Sequence, residues 1–201
     1  TDENGRLTDA MTDYEQAAQD LLALPEVTRA APLVRGQVLA NNRDNSTFAD
    51  VYGISTKDIL TIPRIANPQN SAGDIERFAD GIAIGSGVAR QLGATIGDRV
   101  KLISPNGAQT AFGTSPRVNA YEIVYIFTAG RYDIDQTRVY MPFADAQSFF
   151  NREGAADEIE VMVTDPEDID LFSRDLMRAA GDHALVWSWR DRSGSFLRAL
   201  D

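Results

Sequence analysis

Several groups of residues have types and spacings that could do chemistry, and each has a plainer reading beside it. Gly85-Ser86-Gly87 follows a strand pattern and opens a helix, where a dinucleotide fingerprint would stand. The third glycine position holds Arg90, and no acidic residue ends a second strand about twenty residues on. The triplet therefore reads as a strand-to-helix turn built from small residues. Asp133, Asp135 and Asp145 offer oxygen ligands for calcium but lack the glycine and terminal glutamate of a calcium loop, so a solvated turn is expected. Asp157, Glu158 and Glu160 could act as general acid and base; alternation puts Glu158 and Glu160 on one strand face, taken as the wet one. His183 is the single histidine, which argues against a histidine-cluster metal site and a Ser-His-Asp triad. With no cysteine there is no thiolate ligand, thiol nucleophile or disulfide. No glycine-rich loop ending in Lys and Ser/Thr is present to bind a nucleotide triphosphate. Trp187 and Trp189 read as packing aromatics. The expectation is a domain with no catalytic residue, no metal and no cofactor.

Those residues sit in a chain of 201 residues with 43% hydrophobic and 24% charged positions, a globular composition. Its formal net charge of -11 argues against nucleic acid and against an anionic membrane surface as partner. No apolar run approaches the roughly 18–20 residues of a spanning helix. Residues 1–6 are polar, and a helical apolar pattern from Trp187 is still running near Asp201. Both ends read as cut, so the chain is expected to be a fragment of a longer protein.

The elements that must position these residues follow from periodicity. Residues 9–24 pattern as an amphipathic helix stopped by Pro25. Short strands are expected at 27–31, 36–40 and 47–54, with a turn at 41–46. Residues 56–80 read as a loop-rich surface with one short element. A strand at 81–84, a helix at 86–92, and glycine turns at Gly93 and Gly97 lead to a strand at 99–103. Tyr121, Ile123, Tyr125 and Phe127 alternate onto one face of a further strand, followed by a strand at 138–141 and a helix at 143–151. A strand at 158–164, a helix opened by Asp165-Pro166 and closed at Gly181, and a strand at 184–188 complete the pattern. The two ends form an α+β unit with a β-rich insertion between them.

One stretch stands out. Residues 105–116 join two well-patterned strands, where a hairpin loop of about 2–5 residues is usual. Pro105 and Pro116 bound it, and Phe112 lies near its middle. Two readings stay open: a loop with Phe112 folded onto the body, or a proline-stiffened loop that inserts an apolar tip into a partner.

The run Gly85, Ala89, Leu92-Gly93, Gly97-Asp98, Val100 and Leu102 resembles a recurring segment of MacB-type periplasmic domains. More narrowly, Thr110-Ala111-Phe112-Gly113-Thr114-Ser115-Pro116-Arg117 and the stretch 127–132 resemble the LolC/LolE family, permeases of the lipoprotein-releasing ABC transporter. Met141-Pro142 with Asp145-Ala146-Gln147, residues 159–166, and Trp189-Arg190-Asp191-Arg192 with Phe196 and Ala199-Leu200 extend the likeness. It covers most of the chain from Leu24 onward and is loose over 56–80.

The resemblance implies an α+β MacB-like periplasmic core. A porter-like α+β subdomain (1–56 with 147–189) would carry an inserted β-rich subdomain (57–146), with 190–201 leading to the next membrane helix. It also implies an inner-membrane permease with this domain in the periplasm, a separate cytoplasmic ATPase subunit, a second permease subunit (same or different), a lipoprotein substrate and the soluble lipoprotein carrier LolA. The hook that captures the carrier would comprise Pro105, Ala111, Phe112, Gly113, Thr114, Ser115 and Pro116, with Lys101 and Arg117 as adjacent basic surface. The family shows a polar and then a basic residue where Val118 and Asn119 stand here. Either Arg117 substitutes for them, or this permease serves as both partners of a homodimer. Trp189 and Phe196 would sit at the membrane-facing base beside two adjacent chain ends. Two other classes remain: a related permease domain that transmits ATPase-driven motion to an efflux pump or envelope partner, and a free-standing carboxylate enzyme. Binding of LolA separates the carrier-binding permease from the related permease domain, and a deep pocket lined by two or more carboxylates would mark the enzyme.

Overall fold

The computed structural model describes residues 10–105, 109–110, 113–165, 167, 169–181 and 185–188. In chain order these form α1 (Tyr14–Leu22), β1 (Val27–Asn42), β2 (Asn45–Ile54), α2 (Thr56–Ile59), α3 (Pro63–Ala66), β3 (Asn70–Gly73), a 3-10 turn (Ile75–Asp80), β4 (Ile82–Gly85) and α4 (Ser86–Leu92). Then follow β5 (Arg99–Ser104), β6 (Gln109–Thr110), β7 (Gly113–Thr114), β8 (Arg117–Thr128), α5 (Tyr132–Thr137), β9 (Arg138–Pro142), α6 (Phe143–Phe150), β10 (Glu158–Val163) and α7 (Ile169–Ala180). The fold is mixed, with helices packed on a sheet ordered β10-β1-β2-β9-β4-β8-β3.

Three elements differ from expectation for identifiable reasons. The first helix begins at Tyr14, not residue 9, because Met11 exchanges backbone hydrogen bonds with Ala156 instead of continuing the helix. The separate strands expected at 27–31 and 36–40 are one strand, β1, running straight through Pro32. The β1–β2 ladder starts only at Val34↔Gly53, so the N–H that Pro32 lacks is not required there. The turn after β1 is just Arg43-Asp44, with Arg43 in the left-handed region at φ 55. Residues 56–80 hold four short elements, not one. Ser55 caps α2 by accepting from the Asp58 amide, Pro63 opens α3, and Ile59, Ile65 and Phe78 are fully buried.

The chain divides into two compact units, Thr1–Thr12 with Ala31–Ile159, and Asp13–Ala30 with Glu160–Asp201. These bounds differ from the division at 56/57 and 146/147 that the resemblance implies. The expected terminal strand β2 pairs in parallel with β9 of the middle of the chain, and β1 pairs with β5. Long-range pairing therefore ties 31–54 to the body, which periodicity along the chain cannot register.

In the smaller unit, α1 and α7 pack against each other. Ala17, Ala18, Leu21, Val27, Ala30 and Leu176 are its buried apolar residues among those described. Residues 185–188 form no strand, and Trp187 is 79% exposed, so the strand and the packing role expected there are corrected. The expected base residues Trp189 and Phe196, both chain ends, and His183 lie outside the described residues.

In the larger unit, β5 pairs with both β1 and β8, so β1-β2-β9-β4-β8-β5 closes back on β1 through Leu39↔Ile103, Ala40↔Leu102 and Asn41↔Lys101. The inner side of this ring holds Val38, Ala40, Ala49, Val51, Ile84, Val100, Leu102, Ile123 and Val139, sealed by Leu92 of α4 and Phe149 of α6. Against part of the outer side, residues 56–80 lay Ile59, Ile65 and Phe78 over Tyr52, Ile54, Tyr125, Phe127 and Tyr140. The four β8 residues expected on one face are split. Tyr121 and Ile123 join the inner cluster, whereas Tyr125 and Phe127 join the outer one, next to the register shift between Ile82 and Ala83 of β4.

Candidate functional site

The site begins where a ladder stops. β5 and β8 pair from Arg99↔Glu122 to Ser104↔Arg117, and the next residues are Pro105 and Pro116. Neither proline can donate to a ladder, so pairing ends there. It resumes as a separate two-stranded sheet, β6 with β7, in the register Gln109↔Thr114 and Thr110↔Gly113. Pro105, Ser115 and Pro116 are exposed. Residues 106–108 and the expected contact residues Ala111 and Phe112 lie outside the described residues.

Directly opposed residues of an antiparallel pair share a face, which separates the expected basic residues. Lys101 pairs with Ala120 on the outer side of the ring and is exposed. Arg117 pairs with Ser104, which is buried on the inner side. Its guanidinium donates to the Ser148 carbonyl and, at 2.7 Å, to Asn151 Oδ1. Both acceptors are at the C-terminal end of α6, where a cation complements the helix dipole. Arg117 and Lys101 are therefore on opposite sides of the β5–β8 pair. Asn119, also on the inner side, donates to the Tyr121 hydroxyl at 3.4 Å. Burial, the largest influence, raises the Tyr121 pKa above its usual value, against the lowering effect of the Asn119 hydrogen bond.

The residues that could have been catalytic have structural partners. A Cβ on Gly85 would collide with the backbone carbonyl of Asp135, and one on Gly87 with the Gln136 side chain, so close approach of α5 accounts for both glycines. Asp135 is not solvated as expected. It is buried, and its carboxylate accepts from the Ala129 amide at 2.7 Å and the Gly130 amide at 3.2 Å. Asp133 pairs with Arg131, a hydrogen bond that holds its carboxyl below the usual range. Asp157 meets Arg152 at 2.7 Å, Glu158 meets Arg35 at 3.3 Å and Glu160 meets Arg29 at 2.6 Å. The acidic run expected to be merely wet is thus matched carboxylate by carboxylate with arginine. Among the described residues no group of three or more His, Asp or Glu side chains could hold a metal ion.

Sequence reasoning missed one arrangement. Phe48 opposes Leu39, Leu39 opposes Ile103, and Ile103 opposes Val118, a row of four apolar residues across β2, β1, β5 and β8 on the outer side. The alternation Phe48, Asp50, Tyr52, Ile54 signals that Phe48 shares a face with a charge, but only register assembles the row.

Residues 2–179 match the MacB-like periplasmic core domain family. The chain is similar to the lipoprotein-releasing system transmembrane protein LolC of Neisseria meningitidis serogroup B, with 24% identity over 203 residues, covering 99% of this chain and 49% of the relative. It is 23% identical over 193 residues to LolC of Xylella fastidiosa, covering 94% and 46%. The chain thus spans about half the length of these relatives. Among solved structures, the extracellular domain of the noncanonic ABC-type transporter YknZ from Gram-positive bacteria shares the fold, with TM-score 0.58, 15% identity, and 88% and 85% of the two chains covered. The periplasmic region of MacB from Actinobacillus actinomycetemcomitans does so at TM-score 0.56 and 11% identity, covering 93% and 82%. No helix among the described residues is long and apolar enough to cross a membrane. With its family match running from residue 2 to residue 179, this chain belongs to the MacB-like periplasmic core domain family.

Proposed function

We infer that this domain works in an inner-membrane ABC transporter permease that releases lipoproteins and hands them to the soluble carrier LolA. The observation that supports this most is the separate β6–β7 hairpin set between Pro105 and Pro116 in a chain similar to LolC. A short ladder bounded by two prolines is held in register independently of the body. It loses less ordering entropy on binding than a floppy loop would. In this reading Pro105, Ala111, Phe112, Gly113, Thr114, Ser115 and Pro116 form the hook, and Phe112 is its apolar anchor. Lys101 contributes the basic surface beside it. The smaller unit is the porter-like subdomain and the larger unit carries the hook. ATP hydrolysis belongs to a separate cytoplasmic subunit, and a second permease subunit, identical or different, completes the complex in the membrane.

The likeness to MacB and YknZ supports a second reading, in which the domain relays motion to an efflux or envelope partner instead. Calorimetry of the chain against purified LolA separates the two. Saturable binding that is lost on deletion of residues 108–114 supports the carrier reading, and no binding to the intact chain favours the relay.

A further inference from the structure

Tyr132 is 83% exposed, yet the turn that carries it is tied down on both sides of it. The Ala129 amide donates to the buried Asp135 carboxylate at 2.7 Å, and the Ala129 carbonyl accepts from Arg64 at 3.2 Å. Gly130 takes φ 75, and a Cβ there would run into the Gln69 side chain. The Asp135 amide donates to the Arg131 carbonyl and the Thr137 hydroxyl to the Asp133 carbonyl, each at 2.8 Å, while Ile134 packs on the outer apolar cluster. The turn follows the opposite end of β8 from the β6–β7 hairpin. A large aromatic held in water on a pre-ordered turn loses little further freedom on being covered, which is the property of an interface anchor.

The flanking residues indicate what covers it. Arg131 and Asp133 bracket Tyr132, are both exposed, and pair with each other through Nε–Oδ1 at 3.2 Å and Nη2–Oδ2 at 3.0 Å. The turn is therefore locally neutral in a chain of formal net charge -11, so two copies meeting there do not repel as two acidic faces would. Its order matters as well. Cation, aromatic and anion become anion, aromatic and cation on rotation by half a turn. Two copies brought together at Tyr132 about a two-fold axis set Arg131 of each against Asp133 of the other, four charges alternating in sign around two tyrosines. The existing ion pair need not break, because a paired guanidinium and a paired carboxylate each keep hydrogen-bonding capacity.

We propose that the Arg131-Tyr132-Asp133 turn is a self-complementary contact between two copies of this domain, with Tyr132 as its anchor. The proposal rests on the permease reading above and deepens it, by making the second permease subunit an identical one. In such a complex both domains are tethered to one membrane, so the contact works at high effective concentration and need not be tight.

The test is sedimentation of the 201-residue chain at concentrations up to about 1 mM, the range a short tether supplies. A reversible dimer is expected, weakened about tenfold or more by Tyr132→Ala and unaltered by Phe48→Ala, an exposed aromatic elsewhere. Arg131→Asp and Asp133→Arg are each expected to stay monomeric, because each sets like charges together. An equimolar mixture of the two is expected to restore the dimer, which a variant that had merely misfolded could not do. Their melting midpoints stay close to the parent's, since an exposed ion pair contributes little to the fold. A parent chain that is monomeric throughout, a dimer indifferent to Tyr132→Ala, or a mixture that fails to associate overturns the proposal. Tyr132-dependent flotation with vesicles of zwitterionic phospholipid also overturns it, making the occupant a lipid surface. Each of these leaves calorimetry with LolA untouched, so the carrier reading stands or falls separately.

Discussion

Arg29, only 6% exposed, meets Glu160 at 2.6 Å through one guanidinium nitrogen, and its Nε and other terminal nitrogen have no hydrogen-bond partner. A buried cation with one carboxylate is costly to strip of that partner, whereas replacing the cation itself by an apolar side chain of similar volume is often neutral. Glu160→Ala is therefore expected to destabilise the domain by roughly 2–3 kcal/mol, below the upper range for such pairs because Glu160 is 45% exposed. Arg29→Met is expected to cost much less. Urea denaturation of both variants checks the order, and a larger loss in Arg29→Met would reverse the assignment.

Arg117 tests whether a basic residue beside the hook serves the partner or the fold. Its hydrogen bonds to the Ser148 carbonyl and Asn151 at the end of α6 predict that Arg117→Ala lowers stability by about 1 kcal/mol and, in the carrier reading proposed above, leaves LolA affinity unchanged. Thermal melts and calorimetry on one sample decide it. An unaltered melt with weakened binding would return Arg117 to the partner surface expected from sequence.

The Asp135 carboxylate organises the turn before α5 by accepting from the Ala129 and Gly130 amides. Asp135→Ala strands the buried Ala129 amide, while the exposed Gly130 amide can turn to water, and should cost about 1–2 kcal/mol; Asp135→Asn keeps one acceptor and should cost less. If Asp135 were instead a calcium ligand, added calcium would raise the melting temperature of the parent chain and not of Asp135→Asn. No such shift is expected.

Tyr121 supplies a pH signature. Burial raises its folded pKa above the unfolded value of about 10, so the folded state holds its proton longer. Its contribution to stability is full below pH 10 and is lost as pH rises through the folded pKa. A component of tyrosinate absorbance that appears above pH 10, and that disappears in Tyr121→Phe, is the expected result. An identical titration in the variant would assign the shift elsewhere.

Local chemistry alone determined a good part of this protein. Small residues after a strand pattern and Gly93 beyond Leu92 bounded α4, and Gly93 does take the left-handed conformation at φ 57. Pro105 and Pro116 marked where the β5–β8 ladder must end, because a missing N–H acts within its own residue. The motifs at 85–117 carried the family resemblance for the same reason: they are contiguous, and a contiguous signal survives without a fold.

Tertiary structure decided everything that depends on who stands across the ladder. β1 reads as two runs in sequence and becomes one strand because β2, β5 and β10 all pair along it. Residues 56–80 look like loop until their Ile59, Ile65 and Phe78 find the outer side of the ring to cover. Asp135 looks solvated until α5 turns it onto the Ala129 and Gly130 amides, and the register of Arg117 gives it bonds to the end of α6 that its sequence does not announce. Leu39, Phe48, Ile103 and Val118 lie far apart in the chain and become one surface only through three registers. A strand residue's own type sets its preference for water. Which face it occupies, and what covers that face, is set by pairing partners distant in the chain.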